Sequence, residues 1–295
     1  MHEITSRGLT LTRFLASHPR LVVLTGAGIS RESGIPTYRD EQGSWQHDAP
    51  MTHQAFVGNE AARRRYWSRS FVGWPVMRDA RPNTAHLALA TLERRGAIEL
   101  VITQNVDRLH QRAGSQAVVD LHGRLDRVRC LECGLLRPRE TVQRTLEHLG
   151  YRGQPATPHP ASLRPDGDVD GLPDATSHLD TPRCEQCRGV LMPDVVFFGG
   201  SVPGATVAAC REALARADAL LVVGSSLQVY SGFRFCRAAA VAGLPLALLN
   251  PGVTRADDLA TYKWAAPAGP ALWDAVNGLG IKKPGGGPGK LGGRT

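Results

Sequence analysis

The sequence of 295 residues has no apolar run long enough to cross a membrane, and residues 1–20 lack an apolar core of signal-peptide length. It also lacks a long basic block, since its 35 lysines and arginines, mostly arginine, are scattered among 27 acidic residues. These absences argue against a membrane protein, a secreted protein and a protein that binds along the backbone of a nucleic acid. They predict a cytoplasmic enzyme whose net charge of +8 belongs to a solvated surface, with attraction to acidic partners as the alternative.

The chain also lacks the third glycine of the dinucleotide fingerprint G-x-G-x-x-G, because Arg31 stands in its place. This absence disfavours an ordinary Rossmann dehydrogenase. The two glycines that are present, Gly26 and Gly28, follow the apolar run Leu21–Leu24, which predicts a buried parallel strand. Glycine lets the backbone turn sharply towards a ligand, and Ser30 could cap a helix whose amides face a phosphate. The segment therefore predicts a pyrophosphate cradle, with an ordinary tight turn as the alternative.

Cysteine is scarce, but four of the six cysteines form two C-x-x-C pairs: Cys130, Cys133, Cys184 and Cys187. The C-x-x-C spacing allows a turn that brings two thiolates onto one tetrahedral metal. The two pairs therefore predict one structural zinc ion with a closed coordination sphere. Redox dithiols or disulfides are the alternatives, and a cytoplasmic location disfavours them. Between the pairs, residues Gln154–Pro182 are rich in Pro, Gly and Asp and predict an extended loop. We interpret Cys210 and Cys236 as small buried hydrophobes.

Short apolar runs alternate with helical patterns along the rest of the chain. The predicted strands are Ile98–Thr103, Val118–Leu121, Ala219–Val223 and Pro245–Leu249, and the predicted helices are Thr10–Ser17, one between a cap at Asn83 and a stop at Gly96, Asp107–Ala113, Thr206–Arg216 and Phe233–Ala242. This alternation predicts an α/β fold: a Rossmann-like doubly wound parallel sheet with an inserted small zinc-binding module. The expected NAD-binding domain spans residues 1–126 and 191–280, the zinc-binding module 127–190, and a disordered tail 281–295.

Residues 40–82 show no clean period but contain Trp45, Trp67 and Trp74. They are either a mobile lid over a nucleotide or a surface subdomain with its own aromatic core. The residues alone favour neither alternative.

Polar side chains follow two of the predicted strands. Gln104, Asn105 and Asp107 come after Ile98–Thr103, and His122 comes after the next strand. Ligands of open α/β sheets bind beyond the carboxyl ends of the strands, so these residues are candidates for ligand contacts. Caps of the following helix and a packed or surface histidine are the alternatives. With an unperturbed pKa of about 6.5, a histidine is the simplest base for work near neutral pH.

Six motifs occur together and in order: GAGIS with ESGIP and YR, QNVD, LHG, PDVVFFGG, GSS and NPG, within about Leu21–Trp273. Together they resemble the sirtuins, the NAD-dependent protein-lysine deacylases. The resemblance implies NAD as co-substrate. The implied NAD contacts are Gly26, Ala27, Gly28, Ile29, Ser30, Ile35, Pro36, Tyr38, Arg39, Gln104, Asn105, Val106, Asp107, Gly224, Ser225, Ser226, Asn250, Pro251, Gly252 and Ala268.

The same resemblance implies individual roles. His122 would deprotonate a ribose hydroxyl, Asn105 would place the ribose and a water as the second catalytic residue, and Asp107 would bind the carboxamide of nicotinamide. The implied substrate segment pairs with the peptide backbone and lines an acyl-lysine tunnel through Val195, Val196, Phe198 and Gly199. Gly200 stands where the family has glutamate, a departure that leaves the polar contacts of this loop undefined.

The strings RYWSRSFVGWP, RPNTAH, RPDGDV and VVGSSLQVYSG are similar to the class II branch that contains the fourth human sirtuin, found in bacteria and mitochondria. Members of that branch tend to be weak on acetyl-lysine and to prefer longer or acidic acyl groups. The resemblance therefore implies a bacterial deacylase of acylated-lysine proteins that releases nicotinamide and O-acyl-ADP-ribose. The sequence leaves the oligomeric state open, and we favour a monomer. The alternatives are mono-ADP-ribosyl transfer or lipoamide hydrolysis at the same site, a non-catalytic NAD or ADP-ribose binding protein, and a zinc-ribbon nucleic-acid binder.

Overall fold

The computed structural model describes residues 5–6, 8–47, 49–152, 162–171 and 179–281. Residues 282–295 of the expected tail 281–295 and parts of the predicted loop Gln154–Pro182 lie outside the described residues. The strands are β1 (Thr5–Ser6), β2 (Leu9–Thr10), β3 (Leu21–Thr25), β4 (Ile98–Thr103), β5 (Val118–Asp120), β6 (Gly123–Cys130), β7 (Leu136–Pro138), β8 (Leu191–Val195), β9 (Ala219–Val223), β10 (Leu246–Leu249) and β11 (Tyr262–Trp264). The helices are α1 (Leu11–Ser17), α2 (His53–Gly58), α3 (Glu60–Asp79), α4 (Thr84–Arg94), α5 (Leu109–Arg112), α6 (Arg139–His148), α7 (Gly204–Arg216), α8 (Tyr230–Val241) and α9 (Ala268–Gly278).

Six parallel strands form the main sheet in the order β11-β10-β9-β3-β4-β5. The central strands β3 and β9 are apolar and buried at every residue, apart from the buried polar Thr25, as expected of a parallel sheet covered on both faces. From β3 the chain continues through β4 to the edge strand β5, and the later strands β9, β10 and β11 lie on the other side of β3. The prediction of a doubly wound Rossmann-like sheet is confirmed, and its topological switch point lies between β3 and β9.

Helices cover both faces of this sheet. On one face α4 packs against α9, and the predicted cap is confirmed because the Asn83 side chain accepts the N–H groups of Ala85 and His86 at the start of α4. On the other face α7 and α8 contribute Cys210 and Cys236, both fully buried, which confirms that these thiols are part of the core. Within the described ranges, no helix combines the length and the apolar character that a membrane span requires.

A second sheet, antiparallel and ordered β7-β6-β8, carries the first cysteine pair and packs with α3 and α6. Trp67 and Trp74 on α3 are buried in the core shared by these elements, and the guanidinium of Arg139 lies 5.4 Å from each indole ring. Of the two alternatives for residues 40–82, Trp67 and Trp74 therefore fit the one in which the tryptophans form an aromatic core. Trp45 differs, since it is 44% exposed and lines the large cavity described below.

Two local predictions are wrong. Residues Ala27–Ser33 form a 3-10 helix whose N-cap is Gly26, so Ser30 is not a cap but lies inside the turn, with its hydroxyl donated to Asp107. The predicted helix Asp107–Ala113 is shorter because Arg108 adopts a φ of 64° and the Asp107 carboxylate accepts the N–H of Leu109. In both places a side-chain contact replaces the expected regular helix.

Candidate active site

A cavity of about 1220 Å³ opens where β3, β4, β9 and β10 end. Every predicted NAD or substrate contact lines this cavity, except Ser30, Ile35 and Asp107. The structure therefore brings together residues that come from both halves of the sequence. They meet because parallel strands deliver their carboxyl ends to one edge of the sheet.

The floor of the cavity is a direct contact between the loops that follow β3 and β9. A Cβ atom on Gly28 would lie 2.8 Å from the carbonyl oxygen of Gly224, and one on Gly26 would lie 2.7 Å from the Cβ of Ser225. The N–H of Gly28 donates to the same Gly224 oxygen at 2.8 Å, so the two loops are also hydrogen-bonded. The glycines are needed because only bare backbone fits between the loops. The resulting floor fits the predicted pyrophosphate cradle, since a ligand can approach the main chain there.

Behind this floor, a short polar network fixes the side chain of Asn105. Its amide Nδ2 donates to the Gly26 carbonyl at 3.1 Å and to the Ser30 hydroxyl at 3.0 Å, and the Ser30 hydroxyl donates to Asp107 at 2.6 Å. Burial raises the pKa of Asp107, while hydrogen bonds from Ser30 and Leu109 oppose that rise. Both N–H groups of the Asn105 amide are used, so its side-chain oxygen remains for a ligand. Asp107 is only 6% exposed, and its predicted contact with nicotinamide stays a prediction.

His122 is held at both ring nitrogens. Its Nδ1 lies 2.9 Å from the backbone oxygen of Gln104, and its Nε2 lies 2.6 Å from the hydroxyl of Ser231. Because a carbonyl only accepts hydrogen bonds, Nδ1 carries the proton and the neutral ring has its lone pair on Nε2. The Ser231 hydroxyl then donates to Nε2. The ring is thus oriented with its basic nitrogen among the residues that line the cavity.

The charge state of His122 follows from its surroundings. Burial lowers the pKa of His122 below its ordinary value, the hydrogen bond with Gln104 opposes this change, and the positive charge of Arg234 adds to it. His122 is therefore uncharged at neutral pH. An uncharged imidazole is able to accept a proton from a bound hydroxyl once that hydroxyl replaces the Ser231 hydroxyl at the Nε2 lone pair.

Replacing Arg234 with glutamine is expected to move the acid limb of the pH–activity profile to higher pH. A base must be neutral to work, so activity falls as the pH drops through the pKa of His122, which lies below 6.5. Removing the nearby positive charge raises that pKa. The measurement is kcat/KM between pH 5 and 8, and Arg237→Gln, an exposed position on the same helix, is the control. An acid limb that stays in place in Arg234→Gln would show that this charge does not act on the base.

Sequence reasoning missed several residues that line the cavity. Ser231 was missed because α8 begins at Tyr230, three residues before the predicted start at Phe233. Arg234 falls inside the predicted helix, but its position near the strand end was not used. The sequence did contain a usable signal, a serine and an arginine three positions apart on a helix that follows a strand end. Pro165 and Asp166 also line the cavity. They belong to the predicted loop Gln154–Pro182, and nothing in its sequence indicated that it reaches the cavity.

The four paired cysteines form a separate centre outside the cavity. The Sγ atoms of Cys130 and Cys187 are 3.5 Å apart, those of Cys133 and Cys184 are 3.7 Å apart, and all four lie within 4.8 Å of one another. Tetrahedral zinc with Zn–S bonds of about 2.3 Å separates its sulfur ligands by about 3.8 Å. The cluster therefore fits one structural zinc ion, and four thiolates leave no coordination position for a substrate.

Comparisons with known proteins agree with this geometry. The model of the Sir2 family matches residues 26–231, a stretch that includes His122 and both cysteine pairs. The NAD-dependent protein deacetylase of Xanthomonas campestris pv. campestris (strain 8004) is 56% identical over 261 residues, which are 88% of this chain and 88% of that protein. A solved complex described as Sir2-p53 peptide-NAD+ has a TM-score of 0.74 and 31% identity, covering 93% of this chain and 100% of that one. Sir2Tm bound to a propionylated peptide has a TM-score of 0.71 and 30% identity, with the same coverage.

Proposed function

The chain belongs to the Sir2 family, and we propose that it is an NAD-dependent protein deacetylase that also removes other acyl groups from lysine. The main support for this proposal is His122, an uncharged base in the same cavity as the glycine floor. Its Nδ1 lies 2.9 Å from the Gln104 carbonyl oxygen, and its Nε2 lies 2.6 Å from the Ser231 hydroxyl. The relative from Xanthomonas campestris is named an NAD-dependent protein deacetylase, and the similar solved structures are described as complexes with NAD or with a propionylated peptide. We also propose the division into an NAD-binding domain (1–126 and 191–280) and a zinc-binding module (127–190).

Bound NAD would supply a ribose carbon open to attack by the acyl oxygen and nicotinamide as the leaving group. The main chain at Gly26, Gly28 and Gly224 would lie under the pyrophosphate, and the side-chain oxygen of Asn105 would orient the ribose. His122 would accept the proton of a ribose hydroxyl at Nε2, which requires the Ser231 hydroxyl to give up that lone pair. Asp107 would bind the nicotinamide carboxamide after a change in its contact with Ser30.

The acyl-lysine would lie along residues 195–199, which begin at the last residue of β8. The backbone N–H of Val196 donates to the carbonyl oxygen of His122 at 2.8 Å, so this segment is fixed directly to the residue that carries the base. The backbone of Phe198 is held from the other side, where its oxygen accepts the N–H of His53 at 2.9 Å. These two contacts support the role of Val195, Val196, Phe198 and Gly199 as the substrate segment. Membership of the class II branch, the longer or acidic acyl groups and the product O-acyl-ADP-ribose belong to the same proposal.

The test follows nicotinamide release from NAD and acyl loss in the same tubes. The peptides carry acetyl, propionyl, succinyl, glutaryl or lipoyl groups on one lysine, and acyl loss is followed by mass. We expect one nicotinamide for each acyl group removed. Nicotinamide release without acyl loss would instead indicate ADP-ribosyl transfer or NAD hydrolysis, and no release with any peptide would contradict the proposal.

A further inference from the structure

A second histidine lies buried behind the active site and takes no part in the mechanism above. His110, on α5, is only 1% exposed, and its Nε2 lies 2.9 Å from the hydroxyl of Thr25, the last residue of β3. The Thr25 hydroxyl donates at 2.9 Å to the hydroxyl of Thr103, the last residue of β4. A hydroxyl has one proton to donate, so Thr25 accepts its bond with His110, and Nε2 of His110 is the donor. These three side chains form a hydrogen-bonded series, the hydroxyl row, at the carboxyl ends of two paired strands.

The hydroxyl row ends on one peptide group of the active site. The Thr103 hydroxyl oxygen accepts the N–H of Asn105 at 3.1 Å, and the carbonyl oxygen of Gln104 lies 2.9 Å from Nδ1 of His122. This N–H and this carbonyl belong to the same peptide group, which is planar and rigid. Thr25 also holds the segment through its backbone oxygen, which accepts the N–H of Gln104 at 2.9 Å. The hydroxyl row is therefore connected to the carbonyl that supports His122.

The His110 ring reaches the active site through this row alone. Its Nδ1 has no hydrogen-bond partner among the described residues, and the ring does not line the cavity. His86 of α4 packs against it, with the ring centres 4.9 Å apart. Burial lowers the pKa of His110 to about 4, and burial together with the neighbouring His110 and Arg112 lowers the pKa of His86 to about 2. Both rings are uncharged at neutral pH, so the bond to Thr25 is the contact by which His110 can affect the reaction.

We propose that His110 is a positioning residue for His122. It fixes the hydroxyls of Thr25 and Thr103, and through them the Gln104 carbonyl that holds the base. The proposal rests on the base role of His122 proposed above, and it extends that role to a residue that touches neither NAD nor the acyl-lysine. Such support matters because a base works only when it is held close to its reactive geometry.

The bond between Nδ1 and Gln104 also affects how basic His122 is. Burial and the positive charge of Arg234 lower the pKa of His122, whereas this bond raises it, because a charged ring donates more strongly than a neutral one. The Ser231 hydroxyl faces the other ring nitrogen. Breaking the hydroxyl row leaves the Gln104 carbonyl less firmly held, so the bond weakens. The pKa of His122 then falls, and the base stays neutral to lower pH but is weaker.

The test breaks the hydroxyl row at two places. His110→Leu removes the first donor, and Thr103→Val removes a hydroxyl at almost unchanged volume. Each is expected to lower kcat by about three- to tenfold, the usual effect of losing one supporting hydrogen bond, with little change in the KM for NAD. The acid limb of kcat/KM should move down by about half a pH unit, opposite to the shift expected for Arg234→Gln. The double variant should be little worse than either single one, since both act on the same row. His110→Gln, whose amide nitrogen can donate to Thr25 in place of Nε2, should restore the rate and the acid limb.

Thr91→Val is the matched control. Thr91 is a buried threonine on α4 whose hydroxyl donates to the Leu87 carbonyl at 2.7 Å, so an equivalent hydrogen bond is lost outside the hydroxyl row. It should lower the melting temperature without moving the acid limb. NMR titration of the His122 ring measures the same pKa without turnover. An unmoved pKa in His110→Leu and Thr103→Val, or an equal change in Thr91→Val, would overturn the proposal. If no peptide is deacylated, the deacylase function fails, while the NMR titration still decides whether His110 acts on His122.

Discussion

Replacing His122 with alanine is expected to lower the rate of acyl loss by about 10²- to 10⁴-fold, the usual contribution of a positioned base. The substitution removes Nε2, the nitrogen that would take the ribose proton, and leaves the backbone floor at Gly26, Gly28 and Gly224 intact. NAD should therefore still bind. The measurement is acyl loss at saturating NAD, together with the NAD affinity of the same variant.

The control for this prediction is His148→Ala, which removes an exposed histidine on α6. It should keep the native rate. Full activity in His122→Ala would show that another group takes the proton. Loss of NAD binding in that variant would show that His122 acts as a binding residue, and the drop in rate would then need a different explanation.

Removal of the metal from the four cysteines is expected to unfold the second sheet and the core around it. Structural zinc sites of this kind contribute about 10–16 kcal/mol of binding free energy, comparable to the whole unfolding free energy of a typical domain, about 5–15 kcal/mol. Cys130 and Cys184 are buried in the core that also contains Trp67 and Trp74. Loss of the metal should therefore lower the melting temperature strongly and expose these tryptophans.

The experiment adds a chelator, follows zinc with a metal-sensitive dye and records melting by tryptophan fluorescence. The exposed thiols of Cys133 and Cys187 give the chelator access to the site. Cys184→Ser should reproduce the effect, whereas Cys210→Ala, a buried thiol outside the cluster, should retain zinc and lose only packing energy. Absence of zinc release and an unchanged melting temperature would contradict a structural metal site.

Much of the main sheet is predictable from local pattern. The strand Ala219–Val223 and the strand Ile98–Thr103 have the predicted bounds, because short apolar runs between turn residues in an alternating α/β chain have few other solutions. The residues at their carboxyl ends then meet for topological reasons alone. That is why Gln104, Asn105 and His122 could be selected as candidates from their positions after strands, whereas the residues around Gly224 were implied by the resemblance to the sirtuins; all of them line the cavity.

The wrong and missing predictions depend on contacts between distant parts of the chain. Ser30 resembles a cap in its own segment, but its hydroxyl goes to Asp107, 77 residues away in sequence. The path of the loop that carries Asp166 depends on the pair between Arg69 and Asp168, 99 residues apart. Rules that use only neighbouring residues do not include these distant partners. They therefore assign Ser30 to a helix end and do not predict where the loop lies in the fold.

The contact between Gly28 and Gly224 also bears on how the protein acquires its ligand site during synthesis. Strand β3 pairs with β9, whose residues follow roughly 200 positions later in the chain, so this pairing closes one of the longest loops in the fold. The segment with Gly26 and Gly28 is made first and remains without its partner until most of the chain has been translated. Nascent chains that end before β9 have only half of the floor, so NAD cannot assist the early steps of folding. It stabilises only the molecule in which both halves of the sheet have joined.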